Sequence, residues 1–397
     1  MAGGTLAGRW PGDNTGNPCD LRSDLSRPRR HVIEEGEFRA QAQHVLSACS
    51  RPDLRPRIAG TALMRLAGNA PPWQRSGLRV VDGQTYSVFA NGRIQWSPHD
   101  AALYGGPRFH LWTRVVPGGR IANLCRDTDT FTADCDGEIE LGIYMGIWRD
   151  AYGTLATSDD LYRRLQGQLD ALVIVCRGEP DAALHDLIAV APQAGFLRDE
   201  ADRLMASVDP PRGWHYLLET GRSAIFSADA AGPEGHSSIR LHGHDDQGIL
   251  CRAVDCALTP TTQLAWRWRV DEHPSRVAED TVRTHDYISI AAEFDNGRDL
   301  TWIWSAGLAP EFHFHCPIKA WSARETHLVV RGRGAELGRW YDESRNVHAD
   351  VVTAMGSPPT RIVRIWLIGV SSFQHTGMRA EFAGITLTDG DQPISVL

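Results

Sequence analysis

From Trp73 onward the chain falls into short runs in which Val, Ile, Leu, Tyr and Trp alternate with polar residues, separated by Gly, Asp and Pro. "GLRVVDGQTYSVFANGRIQWSP", "RFHLWTRVVPGGRI", "GEIELGIYMGIW" and "QLDALVIVCRG" carry the period of two expected of half-buried strands. The dipeptides Asp82-Gly83 and Asn91-Gly92 tolerate positive φ and read as hairpin turns of a meander. An antiparallel β-sandwich over residues 57–192 is predicted. Upstream, "VIEEGEFRAQAQHVLSAC" at 32–49 sets Val32, Phe38, Val45 and Leu46 at helical spacing, which predicts one amphipathic helix. Residues 1–30, rich in Gly, Pro, Asp, Asn and Arg, lack the apolar surface to offset chain entropy and read as an arm, so 1–56 comprise arm and helix.

Residues 180–208 switch to a helical pattern, with Asp181 as a cap, Pro192 and Gly195 as interruptions, and "DPPRG" at 209–213 as a stop. A helical connector is expected at 193–212. Strand patterns then return in "SSIRLHGH", "QLAWRWRV", "YISIAAEF", "LTWIWSAG", "THLVVRGR", "RIVRIWLIGV" and "AEFAGITLT". Seven such runs without long helices between them predict a second, jelly-roll-like sandwich over 213–397. The fold class is therefore mainly β: two antiparallel sandwich domains, a short N-terminal helix and a helical connector. No repeat of fixed period relates the two halves.

Length agrees with two cores, since 397 residues exceed what one domain of ordinary size encloses. Against 49 acidic side chains stand 41 basic ones, and the net charge of −8 argues against nucleic acid as a partner. No run approaches the ~18 apolar residues of a membrane span, and no secretory signal opens the chain, so a cytoplasmic protein without membrane contact is expected. Eight cysteines lie scattered without a C-x-x-C pair and read as mostly reduced and buried. The signatures of dinucleotide binding, phosphate loops, serine hydrolases and zinc proteases are all absent. Homo-oligomerisation stays open.

Candidate chemistry concentrates in the histidines of the second half. In "EFHFHCP", residues 311–317, His313 and His315 occupy i and i+2 of an extended run and must share a face. His242 and His244 form a second such pair. An H-x-H pair on a strand is one way to present two imidazoles to a transition metal, though no carboxylate follows closely here, Glu325 being ten residues past His315. Without metal, the same groups serve acid–base catalysis. The catalytic candidates are His285, Asp286, His313, His315 and His375, on the expectation that they meet in one pocket. Adjacent residues on a strand face opposite sides, so His285 and Asp286 share a pocket only through a turn or bulge.

The 13 tryptophans outnumber the 11 phenylalanines. Trp302 and Trp304 share one strand face, as do Trp266 and Trp268, while Arg267 takes the opposite side. They form either a stacking platform for a flat ligand or the filling of a sandwich core, and the core reading is favoured. As substrate-binding candidates we take Trp302, Trp304, Tyr287 and Arg267.

Two resemblances follow from longer stretches. "LAWRWRV" at 264–270, "LTWIWS" at 300–305, "LGRWYDESRNVHADVVTAMG" at 337–356 and "GMRAEFAGITL" resemble a bacterial family known as a domain of unknown function, number three thousand and forty-seven. Where that family has Gly-Asp-Asp, this chain has Thr284-His285-Asp286, and its Asp-rich segment is replaced by "GVSSFQHTG" at 369–377. "SGLRVVDGQTYSVFANGRIQWSP", "LYGGP" and "IWRDAYGT" are similar to the calcium-dependent galactose-binding lectins of the PA-I type. That resemblance implies a calcium site at Tyr104, Asp150 and Thr154, although the downstream Asn pair is missing. Calcium or a transition metal is thus the cofactor to look for.

Two functions are carried forward. One is a non-redox lyase, hydratase or hydrolase acting on a hydroxylated small molecule or saccharide through histidine acid–base chemistry. The alternative is a non-catalytic carbohydrate-binding or scaffold protein.

Overall fold

In the computed structural model of the protein, the described residues are 34–206, 209–229, 232–235, 237–389 and 393–397. The arm read at residues 1–30 lies outside them.

Among the described residues the first helix, α1 (Glu35–Cys49), precedes nine strands. These are β1 (Ile58–Ala67), β2 (Trp73–Val80), β3 (Thr85–Gln95), β4 (Tyr104–Gly105), β5 (Leu111–Val116), β6 (Ala122–Asn123), β7 (Thr128–Thr132), β8 (Gly137–Ile143) and β9 (Gln166–Cys176). A short helix, α2 (Pro107–His110), lies between β4 and β5. One sheet has the order β1-β9-β3-β4 with β7 also paired to β3, and the other runs β2-β8-β5-β6. The alternate residues that face inward, among them Val88, Ile94, Val115, Leu141, Leu169 and Val173, make one core between them.

Neither expected turn joins paired strands. Gly83 does adopt φ 76°, but it carries the chain from β2 in one sheet to β3 in the other. Gly92 lies inside β3 opposite Leu169, where a Cβ would come within 2.4 Å of the Gln168 carbonyl oxygen. It permits close strand approach and ends nothing.

Two helices follow, α3 (Pro180–Val190) and α4 (Gly195–Met205). Proline opens α3, with Asp181 in its first turn and Glu179 at the cap position without a side-chain bond, so Asp181 is not the cap. Together with α1 they pack Phe38, Leu187, Phe196 and Leu197 onto Phe89, Leu172 and Ile174, on the outer face of the first sheet.

The C-terminal sandwich contains β10 (His215–Tyr216), β11 (Phe226–Asp229), β12 (Ser238–His244), β13 (Gln247–Ala257), β14 (Gln263–Glu272), β15 (Tyr287–Phe294) and β16 (Asp299–Trp304). It continues through β17 (His313–His315), β18 (Glu325–Arg331), β19 (Trp340–Asn346), helix α5 (Val347–Met355), β20 (Arg361–Val370), β21 (Gly377–Thr388) and β22 (Pro393–Ser395). A seven-stranded sheet has the order β10-β13-β20-β15-β16-β18-β17, and a six-stranded one runs β11-β12-β21-β14-β19 with β22 on β21. Pairing is antiparallel except between β16 and β18, which run parallel because the crossover between them, 305–324, makes its return run along the sheet edge as β17. Between the sheets lie Trp266, Trp268, Trp302, Trp304, Phe294 and Phe382.

The outer face of the seven-stranded sheet is also covered. Phe314, Ile318 and Trp321 of the crossover pack there, as do Trp96 and Leu103 of the N-terminal sandwich. The two sandwiches are further joined by Arg108 to Asp246 (3.3 Å) and by Arg222 to Asp129 (2.6 Å).

Candidate functional site

The stretch "HFH" forms β17, the outermost strand of the seven-stranded sheet. Alternation puts His313 and His315 on one face, and that face is exposed. Phe314 between them points inward and stacks on the His327 ring, with centroids 4.8 Å apart. The shared pocket expected for His313 and His315 with His285 is therefore not formed: the two imidazoles project from the sheet face opposite the one that carries Phe314 and its register partner His327.

What lies beneath Phe314 is a group of four. His285, Cys316, Glu325 and His327 are 2%, 1%, 4% and 0% exposed, and one ligating atom from each lies within 4.8 Å of those of the others. Glu325 and His327 occupy i and i+2 of β18 and share its outer face. Cys316 follows β17 at the start of the crossover, and its Sγ is 3.4 Å from His285 Nε2. His285 arrives after a 3₁₀ turn at Val282–Thr284.

Two of the four members, His285 and Glu325, have a group that sets their orientation. His285 Nδ1–H donates to the Glu279 carbonyl at 3.0 Å, which leaves Nε2 as the free lone pair facing the thiol. Tyr287 Oη–H donates to Glu325 Oε1 at 3.0 Å, so Oε2 turns toward His327. His327 differs. Its Nε2 lies 3.5 Å from Glu325 Oε2, too long for a good hydrogen bond, and neither ring nitrogen has a hydrogen-bond partner. In a fully buried ring this is costly unless something else satisfies it.

Burial, aided by the neighbouring His327, pushes His285 down to about 4 and keeps it neutral. Burial also works to raise Glu325, but His327, His285 and the Cys316 thiol outweigh it and carry the carboxyl down to about 2. Burial, with Glu325 adding to it, drives the Cys316 thiol far upward. Across the parallel register from Glu325 sits Asp299, held well above the usual carboxylate range by burial and by the Glu325 charge.

Asp286 points elsewhere. Its two oxygens accept the backbone N–H groups of Phe373 (3.0 Å) and Gln374 (2.7 Å), and burial raises it to about 6 against the pull of those bonds. It thus fixes the 371–376 loop, whose Phe373 ring meets His285 at 6.0 Å. His375, from the same loop, points the other way and has φ 54°. Its Nδ1 is 2.8 Å from Asp245 Oδ1, its Nε2 is 3.2 Å from the Ala102 carbonyl, and its ring stacks on Tyr104 at 4.2 Å. Both nitrogens face acceptors, and the bond to Asp245 raises its pKa.

His375 also lines an open cleft of about 610 Å³ where β12, β14 and β21 end. His244, Asp271, Glu272, His273 and Arg379 line it too. Glu272 pairs with Arg379 at 3.1 Å, and both nitrogens of His273 engage backbone groups of Ser275 and Trp304. None of the four buried residues lines this cleft.

The remaining candidates have other places. Trp302 and Trp304 are buried between the sheets against Trp266 (6.0 Å) and Trp268 (5.4 Å), so neither presents a face to a ligand. Trp302 donates its indole N–H to Asp350 at 2.8 Å. Arg267 lies on the opposite side of β14, paired with Asp342 at 2.7 Å, and Tyr287 orients Glu325 from below. Of the calcium candidates, Tyr104 stacks on His375, whereas Asp150 accepts the N–H groups of Tyr152 and Thr154 within its own turn. Tyr104 belongs to the five-stranded sheet, while the 150–154 turn bonds to Ile121 and Trp73 beside the four-stranded one.

Sequence reasoning thus assembled His285 with the wrong partners and missed Cys316, Glu325 and His327 as a set. The signal was present in "ETH" at 325–327, a carboxylate and an imidazole two apart on a strand. That pairing is legible on the face of β18 and not as a distance along the chain from His315.

Residues 222–386 match the model of the family described as protein of unknown function (DUF3047), so the resemblance of the C-terminal half to that family holds. No curated protein matches the chain. Among solved structures, "EclA N-terminal domain; PllA-like lectin" is similar at 11% identity and TM-score 0.23, over 30% of this chain and 98% of that one. The "Xyloglucanase domain of NopAA, a type three effector from Sinorhizobium fredii in complex with cellobiose" is similar at 10% identity and TM-score 0.24, over 45% of this chain and 94% of that one. Overlaps this slight carry no argument about activity.

Proposed function

We propose that the protein handles a hydroxylated small molecule or saccharide in the cleft at the end of the six-stranded sheet, with His375 as the acid–base group of a lyase- or hydrolase-type reaction. The observation that carries this reading is the make-up of the cleft. It has about the volume of a small-molecule site, it is open, and imidazoles, carboxylates and two guanidinium groups converge on it. Such a lining offers both donors and acceptors to a polyol. His375 and Asp245, with φ of 54° and 48°, hold each other in a conformation that non-glycine residues seldom adopt, a form of strain that gathers at functional sites.

The second reading is recognition without turnover. It is favoured by the commitment of both His375 nitrogens, one to Asp245 and one to the Ala102 carbonyl, which leaves no lone pair for a substrate proton.

Thermal unfolding in the presence of sugars, polyols and hydroxy acids tests the proposal, because a ligand of the native state raises the midpoint. A ligand is expected whose stabilisation disappears in Glu272→Gln. If its conversion is then lost in His375→Gln while binding persists, the acid–base role stands; binding without conversion in the native chain selects the second reading. Stabilisation unchanged in Glu272→Gln removes the cleft from consideration.

A further inference from the structure

The four buried residues on the outer face of the seven-stranded sheet are a different matter from the cleft, because nothing that enters the cleft touches them. We propose that His285, Cys316, Glu325 and His327 form a closed, four-ligand site for one zinc(II) ion, which clasps the 273–286 loop and the start of the crossover to β18.

Four observations converge. The first is distance. Bonds of roughly 2.0–2.3 Å place tetrahedral zinc ligands roughly 3.3–3.8 Å from one another. The pairs His285 Nε2 to Cys316 Sγ at 3.4 Å and His327 Nε2 to Glu325 Oε2 at 3.5 Å already have that separation. Across the whole set no pair exceeds 4.8 Å, so small rotations of the side chains close the tetrahedron.

The second is the unpartnered ring. His327 is fully buried with both nitrogens unbonded, and a metal bond at Nε2 supplies a partner for the one that faces Glu325. The stacked Phe314 fixes that ring in place, so it cannot turn away to find another.

The third is outer-shell support. A ligating histidine ordinarily donates its other N–H to a carbonyl or carboxylate, as His285 does to Glu279, and a ligating carboxylate is itself hydrogen-bonded, as Glu325 is by Tyr287. Side chains that merely filled space would not need their free lone pairs aimed at one point.

The fourth is charge. With two neutral imidazoles, one thiolate and one carboxylate, a divalent cation gives a site of zero net charge, which is what burial demands. On binding, the Cys316 S–H bond breaks, its proton leaves to solvent, and the S–Zn bond forms with no change of oxidation state.

The donor set also selects the ion. A thiolate and two imidazoles suit zinc and disfavour calcium or magnesium, which require oxygen. Four protein ligands, all buried, leave no position for a substrate, so the ion is structural.

The test uses the full-length chain without an affinity tag. It is stripped with a chelator, loaded with zinc, desalted and assayed by mass spectrometry. One zinc per chain is expected, falling to near zero in Cys316→Ser and in His327→Ala but unchanged in His313→Ala and His315→Ala. Cobalt(II) added to the stripped native chain provides a reading that does not depend on any variant folding. It should give the intense d–d bands of tetrahedral cobalt together with a thiolate-to-cobalt charge-transfer band. Sub-stoichiometric zinc in the native chain, a cobalt spectrum without the thiolate band, or full zinc content in Cys316→Ser would each overturn the proposal.

Discussion

The outer face of the five-stranded sheet in the N-terminal sandwich and that of the seven-stranded sheet in the C-terminal sandwich are both shut off from solvent, the first by helices and the second by loops. Beneath the helices lie Phe89, Leu172 and Ile174, and the charges nearby are matched by arginines: Asp170 by Arg39 and Arg65, Asp129 by Arg203 and Arg222. Beneath the loops, beside an apolar cluster that includes Ile303, Val329, Trp366, Ile368 and Phe373, lie His285, Tyr287, Ser289, Asp299, Cys316, Glu325 and His327, together with Glu293. There Arg324 pairs with Glu219 and Glu293, Arg364 pairs with Glu293, and Arg324 reaches Asp299 only at 3.7 Å. Glu325 has no arginine among its described partners. An apolar seal stabilises a fold by itself, whereas a polar seal has to be completed by hydrogen bonds, by arginine or by an ion. The two faces differ in the polar groups that the second buries in addition to its apolar ones.

Truncation should separate the two faces most sharply. Phe196, 3% exposed, meets both Phe38 and Phe89 at 5.2 Å, so Phe196→Ala removes the centre of the helical seal. A loss of about 3–5 kcal/mol in urea unfolding is expected. A loss below about 1 kcal/mol would mean that the helices rest on the sheet without stabilising it.

Two histidines, one buried in the N-terminal sandwich and one that reaches it from the C-terminal sandwich, should respond to pH in opposite senses. His110 is buried, accepts from the Trp96 indole at 2.7 Å and donates to the Tyr144 carbonyl at 2.9 Å, and burial lowers it to about 4. The unfolded chain, with an ordinary histidine near 6.5, therefore binds the extra proton between these values. The contribution of His110 is complete above about pH 6.5 and is lost as pH falls toward 4, on the order of 3 kcal/mol in all. His110→Gln should flatten that part of the acid limb, and an unchanged limb would show that the ring is not held neutral. For His375 the sign reverses. Its pKa is raised by Asp245, so its contribution is complete below about pH 6.5 and fades as pH rises through the folded value. The gap between the native chain and His375→Gln in thermal midpoint should be wider at about pH 6 than at about pH 8.5; a gap independent of pH would argue that the ring acts by stacking on Tyr104 alone.

The alternation of apolar and polar residues made both sandwiches legible, because burying one strand face leaves its mark on every second residue. Trp266, Trp268, Trp302 and Trp304 are the clearest case, since the period of two assigned each pair to a face and the size of the rings assigned that face to the core. What the alternation does not contain is which strand lies beside which. Asp82-Gly83 reads as a hairpin although it crosses between sheets, and β16 and β18 are parallel neighbours despite twenty intervening residues, 305–324. The site depends on that missing information. His285, Cys316 and the pair Glu325 and His327 come from three segments brought together by the crossover, and β17 turns its two histidines outward because Phe314 is the residue that fits under the roof.

The smallest expected effect tests the contrast at its most local. Ser289 lies on the outer face of β15, between Ile303 and Ile368 in register, and its hydroxyl is buried without a hydrogen-bond partner. Such a group costs about 1–3 kcal/mol in desolvation that nothing returns. Removing the oxygen in Ser289→Ala leaves a gap smaller than one methyl group, so the gain and the packing loss nearly cancel. The variant should match the native chain or exceed it by up to about 1 kcal/mol in urea unfolding, with the zinc content unchanged. A loss greater than about 1 kcal/mol would mean that the hydroxyl has a partner, and that the outer face of this sheet is a satisfied hydrogen-bond network that needs no ion to complete it.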